Sequence, residues 1–188
     1  SSTELSTLEN MNVLVTGSAG MIGGYVVKGL LEKGHTVIGI DRIAKDIKLD
    51  GLTQIILDLS SKEGIMQLFD DKKIDRVIHL AALAHTKGVA DTSWEAFKKV
   101  NVDCAENLFE ACSKHNVPVL FISTVDAIGM VKGEITPETE LNPISNYGKS
   151  KAMAETYLKQ ICTAWNIYRF SPVYTEDVKR DIQKRYYL

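Results

Sequence analysis

The stretch NYGKSK, residues 146–151, places Tyr147 four positions before Lys151. On a helix, residues at i and i+4 share a face. A free phenol titrates near about 10 and exchanges protons poorly at neutral pH. A neighbouring ammonium favours the phenolate and lowers that value. A tyrosine so tuned can trade a proton with a substrate hydroxyl while a nicotinamide takes or gives hydride, and the lysine can hydrogen-bond a coenzyme ribose. Taken alone, the pair reads more readily as the polar start of an exposed helix, so its surroundings decide. LFISTVDAIG, residues 120–129, is an apolar strand ending in Ser123 and Thr124. Open α/β sheets bind ligands at that edge. A hydroxyl there can orient a reacting oxygen toward Tyr147; strand-end capping is its competing use.

The elements that must position these residues alternate along the chain. Strands are expected at 12–17, 35–41, 53–59, 76–82, 117–123 and 165–171, and helices at about 20–33, 61–71, 92–116 and 146–162. The first strand, NVLVTG, is a continuous apolar run, the pattern of a strand buried on both faces. Ser61 is placed to cap the second helix. Strands joined by crossover helices make right-handed βαβ units. The expected fold is therefore α/β: a doubly wound parallel sheet, Rossmann-like, with helices on both faces.

Between the first strand and its helix lies VTGSAGMIGG, residues 15–24, with Gly17, Gly20 and Gly23 spaced three and three. Gly17 suits the tight turn, Gly20 lets backbone approach a pyrophosphate, and Gly23 permits close helix–strand packing. Met21 and Ile22 open the helix, whose N-terminal N–H groups and dipole favour phosphate. Three glycines also suit a purely structural turn, but strand before, helix after and an acid downstream favour dinucleotide binding. That acid is Asp41, ending the second strand, where a carboxylate accepts from ribose hydroxyls and disfavours a 2′-phosphate. The neighbouring Arg42 argues the other way, since arginine pairs with phosphate. The balance favours NAD over NADP. Asp58, ending the third strand with Leu59 beside it, either faces the adenine edge or turns the chain.

Composition narrows the classes. The chain has 188 residues, 45 % hydrophobic and 24 % charged, with formal charge −2. That suits one cored globular domain and offers no global basic field for nucleic acid. The basic cluster Lys179, Arg180, Lys184 and Arg185 reads as a solvated helix face. Three dispersed cysteines (Cys104, Cys112, Cys162) form neither a zinc pattern nor a disulfide framework. No metal site is expected. With no membrane-length apolar run or signal pattern, a reducing cytoplasm is the expected compartment. Residues 1–10 are set aside as an expression remnant or disordered tail, leaving 11–188 as the domain. His79 is expected in the core, His85 on the substrate side, and Trp94 and Trp165 as packing residues.

Five motifs in order, VTGSAGMIG, VIHLAA, NVDCAENLFEA, FISTVDAIG and NYGKSKAMAE, resemble the extended short-chain dehydrogenase/reductase family, nearest its nucleotide-sugar epimerase/dehydratase branch. The resemblance runs from about Met11 to Val173. It implies Thr124, Tyr147 and Lys151 as the catalytic set. It also implies coenzyme contacts from Gly17, Gly20, Met21, Ile22, Gly23, Asp41, Arg42, Asp58, Leu59, Ala81, Ala82 and Asn101, besides Tyr147 and Lys151. Homodimerisation through the helices at 92–116 and from Asn146 is implied as well. Sugar-nucleotide dehydratases carry two acids after the threonine; Val125 and Asp126 stand there, which argues against dehydration. The pattern's Val-Tyr-Gly reads Ala127-Ile128-Gly129, and the substrate lobe expected after the sixth strand is largely absent. The expected activity is NAD-dependent epimerisation of a nucleotide sugar. A reductase or dehydrogenase using the same residues, or a non-catalytic NAD-binding domain, are the alternatives.

Overall fold

The structure is a computed structural model that describes residues 9–84 and 93–171; His85, the basic cluster and the start of the tail lie outside them. Six parallel strands form one sheet in the order β3-β2-β1-β4-β5-β6. They are β1 (Asn12–Thr16), β2 (Thr36–Asp41), β3 (Leu52–Ile56), β4 (Arg76–His79), β5 (Val119–Thr124) and β6 (Trp165–Phe170). The strand order reverses between β1 and β4, the switch point where such sheets open a ligand crevice.

Helices cover both faces. Val26, Val27, Leu30 and Leu31 of α1 (Met21–Glu32) pack on the smaller core with Val13, Val15 and Val37. The opposite core joins the sheet to α2 (Lys62–Asp71), α4 (Cys104–His115) and α5 (Asn146–Ile161), through Ile65, Phe109 and Leu158 among others. Continuous apolar strands are thus sandwiched as their sequence required. Ser61 caps α2, its hydroxyl accepting from Gly64 N at 3.1 Å. His79 is core, flat against Phe121 with ring centroids 5.4 Å apart.

Four expectations need correction. The helix expected over 92–116 is interrupted: α3 (Trp94–Phe97) passes into a π-helical segment, Lys98–Asp103, before α4 begins. Asn101, in that segment, is buried and holds Leu83 N–H and C=O through its amide, at 2.7 and 2.9 Å. A π turn inserted in a helix often serves such a local demand. β4 stops at His79 rather than residue 82 because the next two N–H groups leave the ladder. Leu80 N and Ala81 N both donate to Thr16 Oγ1, at 3.1 Å each. Trp165 does not pack inside: it is 38 % exposed on the edge strand, with the Lys159 ammonium 5.5 Å from its ring. β3 likewise ends at Ile56, two residues before Asp58.

With both lone pairs of Thr16 Oγ1 occupied, its proton goes to His79 Nδ1, 2.6 Å away. That hydrogen bond sets the imidazole tautomer with hydrogen on Nε2. Burial pulls the His79 pKa down to about 3, with the Lys151 charge adding to the effect, so the ring is neutral. Thr16→Val keeps the shape but strands two amides and a ring nitrogen. It is expected to cost about 1–3 kcal/mol of stability, measured by denaturant unfolding; an unchanged midpoint would refute this account.

Candidate active site

The glycine turn is built by contact with β2 and β4. Gly17 has φ +68°, a conformation glycine takes without strain, and a Cβ there would meet Ala81 N at 2.9 Å. Gly17 N donates to Ile40 O at 2.9 Å. At Gly23 a Cβ would lie 2.1 Å from Gly17 O, so helix and turn touch backbone to backbone. Gly20 precedes α1 with no side chain capping it and no acid in the first turn, which leaves that end open to an anion.

Asp41 braces this turn: one carboxylate oxygen accepts from Ala19 N at 3.0 Å, the other from Arg42 N at 2.7 Å. Asp58 accepts from Ser60 N at 2.9 Å. That backbone bond, the Ser60 hydroxyl and the charges of Arg42 and Lys99 hold its carboxyl below the usual range. These groups surround a cavity of about 450 Å³. Gly17, Gly20, Asp41, Arg42, Asp58, Leu59, Ala81 and Ala82 all line it. Sequence reasoning missed Ser60, Lys99 and Cys104 on its wall. Lys99 lies within the π segment and Cys104 directly after it, and no helical period announces that segment's rotation. Met21, Ile22, Gly23 and Asn101 stand off the wall: Gly23 serves packing, and the Asn101 amide is spent on Leu83 and on Ser150 Oγ at 3.0 Å.

The second group gathers at the carboxyl edge of β5. Thr124 caps the 3₁₀ turn that follows (Val125–Ala127), accepting from Asp126 N at 3.2 Å. The capping use is therefore real, and it leaves the hydroxyl proton for another acceptor. Beside it, Ser123 Oγ is buried with no hydrogen-bond partner among the described residues. Such a hydroxyl is an exception to the rule that buried polar groups are paired. Ser145 starts α5, its hydroxyl accepting from Gly148 N at 2.9 Å. Tyr147 follows, with its ring 6.1 Å from that of Phe97.

Lys151 is 2 % exposed; its Nζ donates to Ile122 O at 2.8 Å and lies 4.3 Å from the Phe121 ring centroid. Burial pulls its pKa down to about 7, against the raising influence of Glu155. Tyr147 departs from the sequence expectation. Its phenol is shifted up, first by burial and then by the Asp126 charge. Sharing a helix face with an ammonium did not suffice, because that ammonium is turned down onto the sheet. In this state Tyr147 is a phenol, a proton donor.

Glycine turn, acidic strand end and open cavity fit a dinucleotide. Among the described residues no group of three metal-ligating side chains occurs, and no helix is long and apolar enough to cross a membrane.

Comparison with known proteins agrees with this fold. The Uncharacterized UDP-glucose epimerase YtcB of Bacillus subtilis (strain 168) is 30 % identical over 182 residues, covering 87 % of this chain and 57 % of that protein. The Bordetella bronchiseptica enzyme WbmG, solved in complex with NAD, superposes with a TM-score of 0.77 at 26 % identity, over 88 % of this chain and 54 % of that one. UDP-glucose 4-epimerase from Thermotoga maritima, solved with UDP-glucose, gives 0.75 at 33 % identity, over 87 % and 56 %. The chain thus spans little more than half the length of these relatives. The model of the NAD dependent epimerase/dehydratase family matches residues 13–180. This chain belongs to that family.

Proposed function

We propose that the protein is an NAD-dependent epimerase of a nucleotide sugar, and that this chain carries its coenzyme-binding and proton-transfer residues. The observation that supports the reading best is the convergence of Thr124, Tyr147 and Lys151 where β5 and α5 meet, Lys151 being bound to Ile122 O at 2.8 Å. Relatives named as UDP-glucose epimerases, and the missing carboxylate at Val125, support epimerisation over dehydration. NAD, when bound, supplies a hydride acceptor and donor. The chain's own groups do the rest. The open α1 end and the glycine turn would hold the pyrophosphate, and Asp41 would accept from ribose hydroxyls. Lys151 would hold the second ribose, Thr124 would donate to the substrate oxygen, and Tyr147 would move the proton at that oxygen. Two copies pairing through α4 and α5 belong to the same reading.

Incubation of the protein with NAD and UDP-glucose tests it. The expected result is a second hexose epimer in the product with no lasting rise in nicotinamide absorbance. A lasting, stoichiometric rise would make the protein a dehydrogenase. NAD binding without turnover on any sugar nucleotide would make it a non-catalytic coenzyme-binding domain. Coenzyme contact can be checked separately. Asp41→Ala removes a charged acceptor and is expected to weaken NAD binding about tenfold or more, read by calorimetry; unchanged affinity would refute the assigned ribose contact.

A further inference from the structure

Glu155 lies one turn beyond Lys151 on α5, on the same face, and is completely buried. Arg169, on edge strand β6, grips it: Nε lies 3.1 and 3.3 Å from the two carboxylate oxygens, and the terminal Nη2 lies 2.9 Å from one of them. The forked guanidinium offsets the cost of burying the carboxylate there. In register, Arg169 stands beside Ser123 and Tyr168 beside Ile122, the residue whose carbonyl receives Lys151. Adjacent turns of α5 are thus fastened to adjacent positions of the β5–β6 ladder, once by lysine to carbonyl and once by carboxylate to arginine.

We propose that Glu155, locked by Arg169, is a positioning residue that supplies the Lys151 ammonium with its counter-charge inside the fold and fixes the face of α5 that carries Tyr147. This deepens the reading above and rests on Lys151 as the coenzyme-holding residue. The other groups facing this lysine do not substitute for Glu155. His79 on β4 is neutral, Tyr147 is a phenol, and β5 offers a ring and a carbonyl. Among the described residues, Glu155 is the one charge that counters the effect of burial on Lys151. Without it the lysine would shed its proton more readily and lose its grip on an anionic dinucleotide.

The test titrates Lys151 directly, by carbon NMR of ¹³Cε-lysine-labelled protein, alongside NAD calorimetry across pH. Glu155→Gln is expected to move the Lys151 midpoint down and weaken NAD binding about tenfold above neutral pH, with affinity recovering toward acid as Lys151 recharges. Should this variant not fold, the double change Glu155→Gln with Arg169→Gln leaves a neutral amide pair and predicts the same downward movement. An unmoved Lys151 midpoint in a folded variant would overturn the proposal and leave the pair as a tether only. Wild-type protein that titrates as expected but does not bind NAD would sink the coenzyme reading while leaving the Lys151–Glu155 coupling intact.

Discussion

Tyr147→Phe is expected to lower turnover by about 10²–10⁴-fold, the range a positioned proton donor or acceptor contributes. NAD affinity should change little. The ring is what packs against Phe97, 6.1 Å away, and phenylalanine keeps it; the hydroxyl alone is lost. The loss should fall on kcat rather than KM, because the proton moves only in the transition state. The raised phenol, with burial as the main cause and Asp126 as the second, adds a directional expectation. A step in which Tyr147 must accept a proton should speed up as pH rises, and a step in which it donates should not. Removing the Asp126 charge by Asp126→Asn lowers the phenol pKa, so it should shift the rising limb toward lower pH. Tyr147→Phe protein that kept full turnover would eliminate this mechanism; an intact kcat with raised KM would reassign Tyr147 to substrate binding.

Some of this was legible in the residues and some was not, for physical reasons. The strands and the parallel sheet follow from apolar runs separated by crossovers, and the glycine turn from spacing between a strand and a helix. Asp41 could be placed because strand ends point into the crevice. That it braces Ala19 N as well depends on how closely β1 and β2 approach, which no single-strand pattern carries. The lysine exposes a limit of i, i+4 reasoning: the rule fixes which face Lys151 leaves from, not where its flexible stem ends. In the fold that stem runs to Ile122 O, and the tyrosine moves up where the sequence pointed down. The π turn around Asn101 was invisible because its cause is tertiary, an amide matched to Leu83. Glu155 did leave a trace: it continues the Tyr147–Lys151 spacing by one more turn among alanines, and Arg169 interrupts an otherwise uncharged strand. Two opposite charges, both set in apolar runs, were the available sign of a buried pair.

Gly148→Ala is expected to be a damaging addition of one methyl where the two halves of the site meet. A Cβ at this position would lie 2.2 Å from Asp126 O and 3.2 Å from Pro143 Cβ, against an ordinary contact of at least 3.4 Å. Backbone meets backbone there, so no side chain can swing aside. The start of α5 must retreat from the 3₁₀ turn by roughly 1 Å, and a displacement of that size can cost about 10²-fold in rate. The overpacking should also remove about 1–3 kcal/mol of stability. Thr124 and Asp126 stay with β5 and its turn while Tyr147 and Lys151 travel with the helix, so the retreat separates the two halves of the site. Gly29→Ala provides the contrast. It lies within α1 with nothing within 4 Å of the added Cβ. There the same methyl should stabilise by about 0.4–1 kcal/mol and leave turnover alone. Paired denaturant unfolding and rate measurements on the two variants check both signs. Equal stability and activity in Gly148→Ala would mean that the spacing between α5 and the 3₁₀ turn does not set the geometry of proton transfer.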